Sequence, residues 1–334
     1  GSGSSGGGGR MAEELVRTVM ADLYNPVTGV QNLVNLCEEN VLWEDTTQSK
    51  DLTSKREVEE LLRKRVQSAP RGTYLDIQRI TDGGPASTSA GFTWQMAVKG
   101  YNGEKPGKGL RGTTYLEVNP ATQKICYVRE VVEPLYKPGD STAVLLKAVS
   151  QAAMKKAAAT ATEKKDSTTT TTFVPRNPTT AADMVQYLWF EAQSGITEEN
   201  DLSIVADVFA EDITYEDFNF ATSFQGKKET MAFQEAFNFP GIRFNPDKVS
   251  EGISKVCFTW SVEIYGVEKQ VRGISFYETN SNINTEESDK DASSKTLLTY
   301  VRDIPEPAFK PAPLLSIAAW LRPGLRRFRS VKED

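Results

Sequence analysis

The sequence predicts an α+β chain made of two copies of one cone-shaped domain, each a curved antiparallel sheet wrapped around helices. Three observations predict it. The first is a repeated closing signature. Tyr127-Val128-Arg129-Glu130 leads to Glu133-Pro134-Leu135-Tyr136-Lys137-Pro138, and Tyr300-Val301-Arg302-Asp303 leads to Glu306-Pro307-Ala308-Phe309-Lys310-Pro311, an offset of 173 residues (300 − 127). The second is a set of upstream blocks in the same order. Val41-Leu42-Trp43-Glu44-Asp45 matches Ile213-Thr214-Tyr215-Glu216-Asp217, Phe92-Thr93-Trp94 matches Phe258-Thr259-Trp260, and the Arg111-Gly112 run matches the Arg272-Gly273 run. Their offsets of 172, 166 and 161 (213 − 41, 258 − 92 and 272 − 111) mark loop insertions between conserved elements. The third is the element order, helices before strands in both halves. A period this long with two copies is a domain duplication and no solenoid.

Each element follows from its residues. Ala12 to Leu23 and Gly29 to Glu38 carry apolar residues at helical spacing, and Val41 to Glu44 reads as a short strand. Thr53 or Ser54 caps a helix running to about Val66, with Val58, Leu61, Leu62 and Val66 on one face. Strands follow over Tyr74 to Ile80, Ala90 to Lys99, Gly109 to Val118 and Lys124 to Val132, punctuated by Gly83-Gly84-Pro85 and Asn119-Pro120. A helix from Ser141 to Lys156 closes the first copy. In the second, helices are expected over Ala181 to Gln193, Leu202 to Phe209 and Lys227 to Phe237, with a strand through Tyr215. Its later strands cover Arg243 to Val249, Ile253 to Tyr265, Val267 to Thr279 and Thr296 to Ile304. The expected division is an artificial Gly/Ser linker, set apart from the fold, at 1–10, a domain at 11–150, a Thr/Pro-rich linker at 151–180, a domain at 181–311, and an apolar helix with a basic tail at 312–334.

Composition limits function. The 334 residues carry net charge −6 with both signs dispersed, which argues against nucleic acid as a ligand. Three cysteines, Cys37, Cys126 and Cys257, read as reduced core thiols in a reducing, soluble compartment. No apolar run reaches the length of a membrane span. There is no histidine, so every His-based acid/base, triad or metal scheme is absent. Phosphate loops, nucleophile elbows and CxxC pairs are missing too. No metal and no organic cofactor is expected.

The Trp43-Glu44-Asp45 and Tyr215-Glu216-Asp217 strands, the Arg-Gly strand starts and the closing signature resemble SnoaL-like domains of the NTF2-like superfamily, across nearly all of Met11 to Leu321. The closing signature resembles that of SnoaL-like proteins found in plastids. With the Thr-rich linker, the tandem arrangement is also similar to the two-domain pyrenoid shell proteins of diatoms and related algae. The resemblance implies proton transfer, polyketide cyclisation or epoxide opening inside the cone. The residues carry it over poorly. An Asp/His pairing cannot be assembled, and Arg129-Glu130 and Arg302-Asp303 are adjacent strand residues that point to opposite faces.

The charged residues of the matched strands have a structural reading and a chemical one. Arg129 pairs with Glu44 or Asp45, and Arg302 with Glu216 or Asp217, as ion pairs at the cone rim; alternatively the same groups line a binding pocket. Trp43, Trp94, Trp260 and Tyr115 read as core, and Tyr127, Tyr215 and Tyr300 join the pocket or rim set. Arg111 and Arg272 read as exposed strand ends or as an anion site. Asp45 and Asp217 are the candidate acids should carboxylates act alone. The tail segment with Leu314, Leu315, Ile317, Trp320 and Leu321, followed by Arg326 and Arg327, must fold back, dock on a partner or lie on a membrane surface.

The reading that results is a non-catalytic structural protein. It self-assembles, into a lattice such as a pyrenoid shell in the plastid stroma, or binds another protein through its tail. The alternative is a carboxylate-dependent isomerase, polyketide cyclase or epoxide hydrolase acting on an apolar small molecule. A carrier with an apolar pocket is the third reading.

Overall fold

The computed structural model describes residues 12–100, 105–160, 177–193, 196, 198–265, 267–281 and 295–307. The chain forms two compact units, the second spanning Glu133–Glu306. In the first unit, α1 (Ala12–Leu15) runs into a π-helical turn (Val16–Met20), followed by α2 (Gly29–Asn35), β1 (Cys37–Asp45) and α3 (Lys55–Ser68). Four strands complete it: β2 (Thr73–Ile80), β3 (Ser89–Val98), β4 (Gly107–Asn119) and β5 (Lys124–Val132). The second unit opens with α4 (Ser141–Thr160) and α5 (Ala181–Gln186), which runs into a π-helical turn (Tyr187–Glu191). Then come α6 (Leu202–Val208), β6 (Phe209–Asp217), β7 (Phe224–Gln225), α7 (Gly226–Ala236), β8 (Ile242–Val249), β9 (Lys255–Ile264), β10 (Val267–Thr279) and β11 (Leu298–Pro305).

The two sheets have one topology. The orders are β1-β5-β4-β3-β2 and β7-β6-β11-β10-β9-β8, so only the two-residue β7 is extra. In each, the strand before the long helix pairs in parallel with the last strand, and the other pairs are antiparallel. The mixed α+β class and the duplication stand as expected. Both copies also place a π turn after their first helix, at Val16–Met20 and Tyr187–Glu191, a feature that hydrophobic periodicity does not reveal.

The Arg-Gly pairs lie inside β4 and β10 rather than at the expected strand starts, and they have a packing cause. Trp94 on β3 faces Gly112 on β4, and Trp260 on β9 faces Gly273 on β10. Each indole lies flat across the glycine, so an added Cβ would sit 2.3 Å from Trp94 Cζ2 or 2.1 Å from Trp260 Cζ2. The indole N–H then reaches a hydroxyl two residues further along the glycine's strand, Thr114 Oγ1 at 2.9 Å and Ser275 Oγ at 2.8 Å. We expect Gly112→Ala to destabilise the first unit, and Gly273→Ala the second, by roughly 1–3 kcal/mol through overpacking. Unit-resolved hydrogen exchange measures this, and unchanged protection in both variants would contradict it.

One expectation is corrected. The helix after the first closing signature does not complete the first domain, so the boundary expected at 150 lies before Glu133 instead. The reason is side-chain chemistry on α4. Ser150 Oγ donates to Pro240 O at 2.5 Å, Ala153 packs on the second core, and upstream of the helix Gly139 N–H donates to Asn219 O at 2.9 Å.

Candidate functional site

The end of each parallel strand pair carries charge on both faces of its sheet. On one face, Arg129 of β5 lies opposite Glu44 of β1, and Arg302 of β11 opposite Glu216 of β6. Arg129 Nε donates to Glu44 Oε2 at 2.5 Å, and Arg302 Nε to Glu216 Oε2 at 2.7 Å. Tyr127 and Tyr300 donate their hydroxyls to the same two carboxylates. The arrangement is alike in both copies. All six residues belong to matched pairs, and Arg129 and Arg302 are buried. The register chooses Glu44 and Glu216 over Asp45 and Asp217 as the arginines' partners, and both arginines are buried where a rim position was expected.

The opposite face lies under the helices, and there the copies diverge. In the first unit, Asp45 and Glu130 share Arg65, which reaches in from α3. Arg65 Nη2 lies 2.8 Å from Asp45 Oδ2 and Nη1 lies 2.6 Å from Glu130 Oε1. Asp45 Oδ1 also accepts from the Thr47 N–H at 2.9 Å, and Glu130 Oε2 accepts from Thr114 Oγ1 at 3.4 Å. Burial pushes the Glu130 carboxyl above its usual range, and the Arg65 charge opposes that shift.

In the second unit, Asp303 takes the place of Glu130. Tyr215 donates its hydroxyl to Asp303 Oδ2, and Ser275 Oγ donates to Oδ1 at 2.5 Å. The chain of indole, hydroxyl and acid is thus the same in both copies: Trp94, Thr114, Glu130 and Trp260, Ser275, Asp303. The cation is not repeated. Glu57 and Glu229 each accept an N–H just before their helices, from Thr53 and Gln225, which aligns α3 with α7. Eight residues on from each stand Arg65 and Phe237. Phe237 packs into a ring cluster with Phe220 and Phe233, at 6.4 and 4.8 Å between centroids. Although the Lys137 charge opposes it at Asp217, burial therefore acts on the acids of the second unit without a counterpart of Arg65. It raises Asp303 to about 6, against hydrogen bonds from Ser275 and Tyr215, and raises Asp217 to about 7. Trp189, carried inward by the π turn, donates Nε1–H to Tyr277 OH at 3.3 Å and crosses the ring of Phe258 edge-on at 5.1 Å.

The sequence-predicted residues therefore scatter over several environments. Trp43, Trp94 and Trp260 are core, and Tyr215 points at Asp303 although it occupies Trp43's place. Arg272 is neither an exposed end nor an anion site: its Nε lies 3.1 Å from Glu306 Oε2, in the second closing signature. Arg111 is half-buried inside β4, four residues after its start, where the sequence reading expected a strand end. Leu314, Leu315, Ile317, Trp320, Leu321, Arg326 and Arg327 lie outside the described residues. Sequence reading missed Arg65, Thr114, Trp189, Phe237, Ser275 and Tyr277. It discarded Glu130 and Asp303 because they point away from the neighbouring arginine, overlooking that helices face that side. Among the described residues, no cluster of three or more His, Cys, Asp or Glu could hold a metal, and no helix is long and apolar enough to cross a membrane.

The profile of the SnoaL-like domain family matches residues 189–282. No curated protein sequence matches the chain. Among solved structures, a candidate SnoaL-like polyketide cyclase of Shewanella putrefaciens CN-32 is 14% identical, with a TM-score of 0.29, covering 36% of this chain and 77% of its own. A candidate isomerase of the SnoaL-like family from Agrobacterium tumefaciens strain C58 is 13% identical, with a TM-score of 0.29, covering 36% and 96%. An NTF2-like protein of unknown function from Cytophaga hutchinsonii ATCC 33406 is 9% identical, with a TM-score of 0.27, covering 36% and 88%. The SnoaL-like family profile thus matches part of the second repeat, and the first repeat has the same sheet order.

Proposed function

We propose that this chain is a non-catalytic structural protein that self-assembles through its duplicated domains. The observation that carries the reading is the outer face of α4. Val144, Leu145, Ala148, Val149 and Ala152 share one face at helical spacing, and Val144, Leu145 and Val149 are 70%, 64% and 42% exposed. Exposed Leu135 and Tyr136 precede the helix. An apolar stripe of this extent is costly in water, and a second copy of the chain is the partner that covers it. The state of the first unit's acids supports the same reading, because Arg65 and hydroxyl or N–H donors engage both Asp45 and Glu130. A pyrenoid-type shell in the plastid stroma belongs to this proposal and rests on the resemblance of the closing signature and linker. Light scattering tests it. Val144→Glu with Leu145→Glu should lower the mass from many chains towards one, whereas unchanged mass removes the role of this face.

The alternative, a carboxylate-dependent isomerase, cyclase or epoxide hydrolase, is favoured by the raised acids of the second unit, Asp303 and Asp217. An acid raised towards neutral pH and flanked by Tyr215 and Ser275 has the properties of a general base. Under that reading Asp303→Asn and Asp217→Asn abolish turnover of an apolar substrate. Turnover equal to the parent chain's would exclude both acids.

A further inference from the structure

Both copies build the same pair of acids, and only the first supplies a cation for it. In each, an acid ending the strand before the long helix lies opposite an acid of the closing strand, Asp45 beside Glu130 and Asp217 beside Asp303. Oδ1 of the first acid accepts the N–H two residues on, from Thr47 at 2.9 Å and from Asn219 at 2.7 Å. The copies differ at Oδ2. In Asp45 it accepts from Arg65 Nη2 at 2.8 Å, and Nη1 of the same guanidinium donates to Glu130. Among the described residues, no cation stands at Asp217. Lys137, whose charge acts on Asp217, is held instead by Glu133 Oε1 at 2.7 Å and by Phe218 O at 3.2 Å.

Asp217 is also the more open acid. Asp45, covered by Arg65, is 1% exposed, whereas Asp217 keeps 9%. An ionised carboxylate accepts about four hydrogen bonds, so Tyr215 and Ser275 leave acceptor capacity on Asp303 as well. The approach is aromatic. Phe237 stands at Arg65's place in the helix alignment, and its ring centroid lies 4.8 Å from that of Phe233. Phe233 in turn lies 5.2 Å from Tyr215, whose hydroxyl reaches Asp303. Rings leading to a pair of acids are the chemistry that recognises an organic cation.

We propose that the second unit binds a small organic cation of the guanidinium or amidinium class at Asp217 and Asp303, the place that Arg65 fills in the first unit. A planar fork engages two neighbouring carboxylates at once, as Arg65 does with Asp45 and Glu130, and a compact ammonium matches that geometry less well. The ligand's apolar body lies on the Phe233 and Phe237 rings. Binding requires ionised acids, so it strengthens as pH rises through 6 and 7, in competition with protons. Tyr215 and Tyr277 stay neutral throughout, since burial pushes both hydroxyls well above their usual range. The site is independent of self-assembly and involves no turnover.

Hydrogen exchange on the full-length chain tests it, with benzamidine as the probe and benzyl alcohol as its neutral counterpart. In a titration at pH 8, benzamidine should protect β6 and β11 and leave β1 and β5 unchanged. The gain should be about tenfold when the probe reaches ten times the dissociation constant so measured. At pH 5 the gain should vanish, and Asp217→Asn with Asp303→Asn should abolish it at pH 8. No gain at any concentration overturns the proposal. So does an equal gain with benzyl alcohol, which marks an apolar cavity only, or a gain that survives the double substitution. Light scattering of the same samples reads assembly separately, so this site and the self-assembly reading can each fail alone.

Discussion

Arg65→Met will destabilise the first unit by about 3 kcal/mol or more at neutral pH, the usual cost of breaking a buried ion pair. The substitution keeps most of the side-chain volume and removes the charge that Asp45 and Glu130 share. Both acids are almost wholly buried, with side chains 0% and 5% exposed, so water cannot take over Arg65's role. Hydrogen exchange at β1 and β5 reads the effect, as a loss of protection of about a hundredfold or more, while β6 and β11 keep theirs. A sharper version adds Asp45→Asn and Glu130→Gln to Arg65→Met. With no charge left to desolvate, most of the lost stability should return, since neutral replacements of a buried ionic cluster are often tolerated. If the single variant is as protected as the parent chain, the triad is not what holds this region.

The second unit will lose stability between pH 5 and pH 8, by roughly 2–4 kcal/mol. Asp303 at about 6 and Asp217 at about 7 both lie above their ordinary value of 3.8. The folded state therefore binds more protons than the unfolded chain between these values. Stability from these groups is complete below 3.8 and disappears as pH climbs through 6 and then 7. The acids repel each other when ionised, so the two contributions overlap and do not simply add. Asp303→Asn keeps the shape and abolishes the titration, so it should flatten the profile and stabilise the unit at pH 8. Hydrogen exchange at β6 and β11 across this range is the measurement. Stability that rises from pH 5 to pH 8 would show that these acids are not raised.

Much of this arrangement was legible in the sequence, and the illegible parts have physical causes. The Arg129 and Arg302 ion pairs could be foreseen because both partners recur in the two copies. Which acid each arginine takes could not. That depends on the parallel register of β1 with β5 and of β6 with β11, strands far apart in the chain. Arg65 gave no signal at all, since its counterpart is Phe237 and the comparison of copies favours shared residues. The Arg-Gly motif was visible but attributed to its charge. The glycine is the constrained partner, pressed against the indole on the neighbouring strand. The helix after the first signature was read with the repeat that precedes it, because sequence order does not say which core a helix covers. Its apolar outer face, Val144, Leu145 and Val149, became informative only once the inner face was seen to be occupied.

The two copies thus keep one framework and fill its polar interior differently, with an ion triad in one and a hydroxyl-held acid in the other. The exposed stripe on α4 is where the proposed second copy would sit. Electron microscopy of the full-length chain across a range of concentrations puts this to the most direct test. The account predicts extended regular assemblies, sheets or tubes with a repeat set by one chain, that disappear with Val144→Glu and Leu145→Glu. Dispersed single chains at every concentration would contradict it.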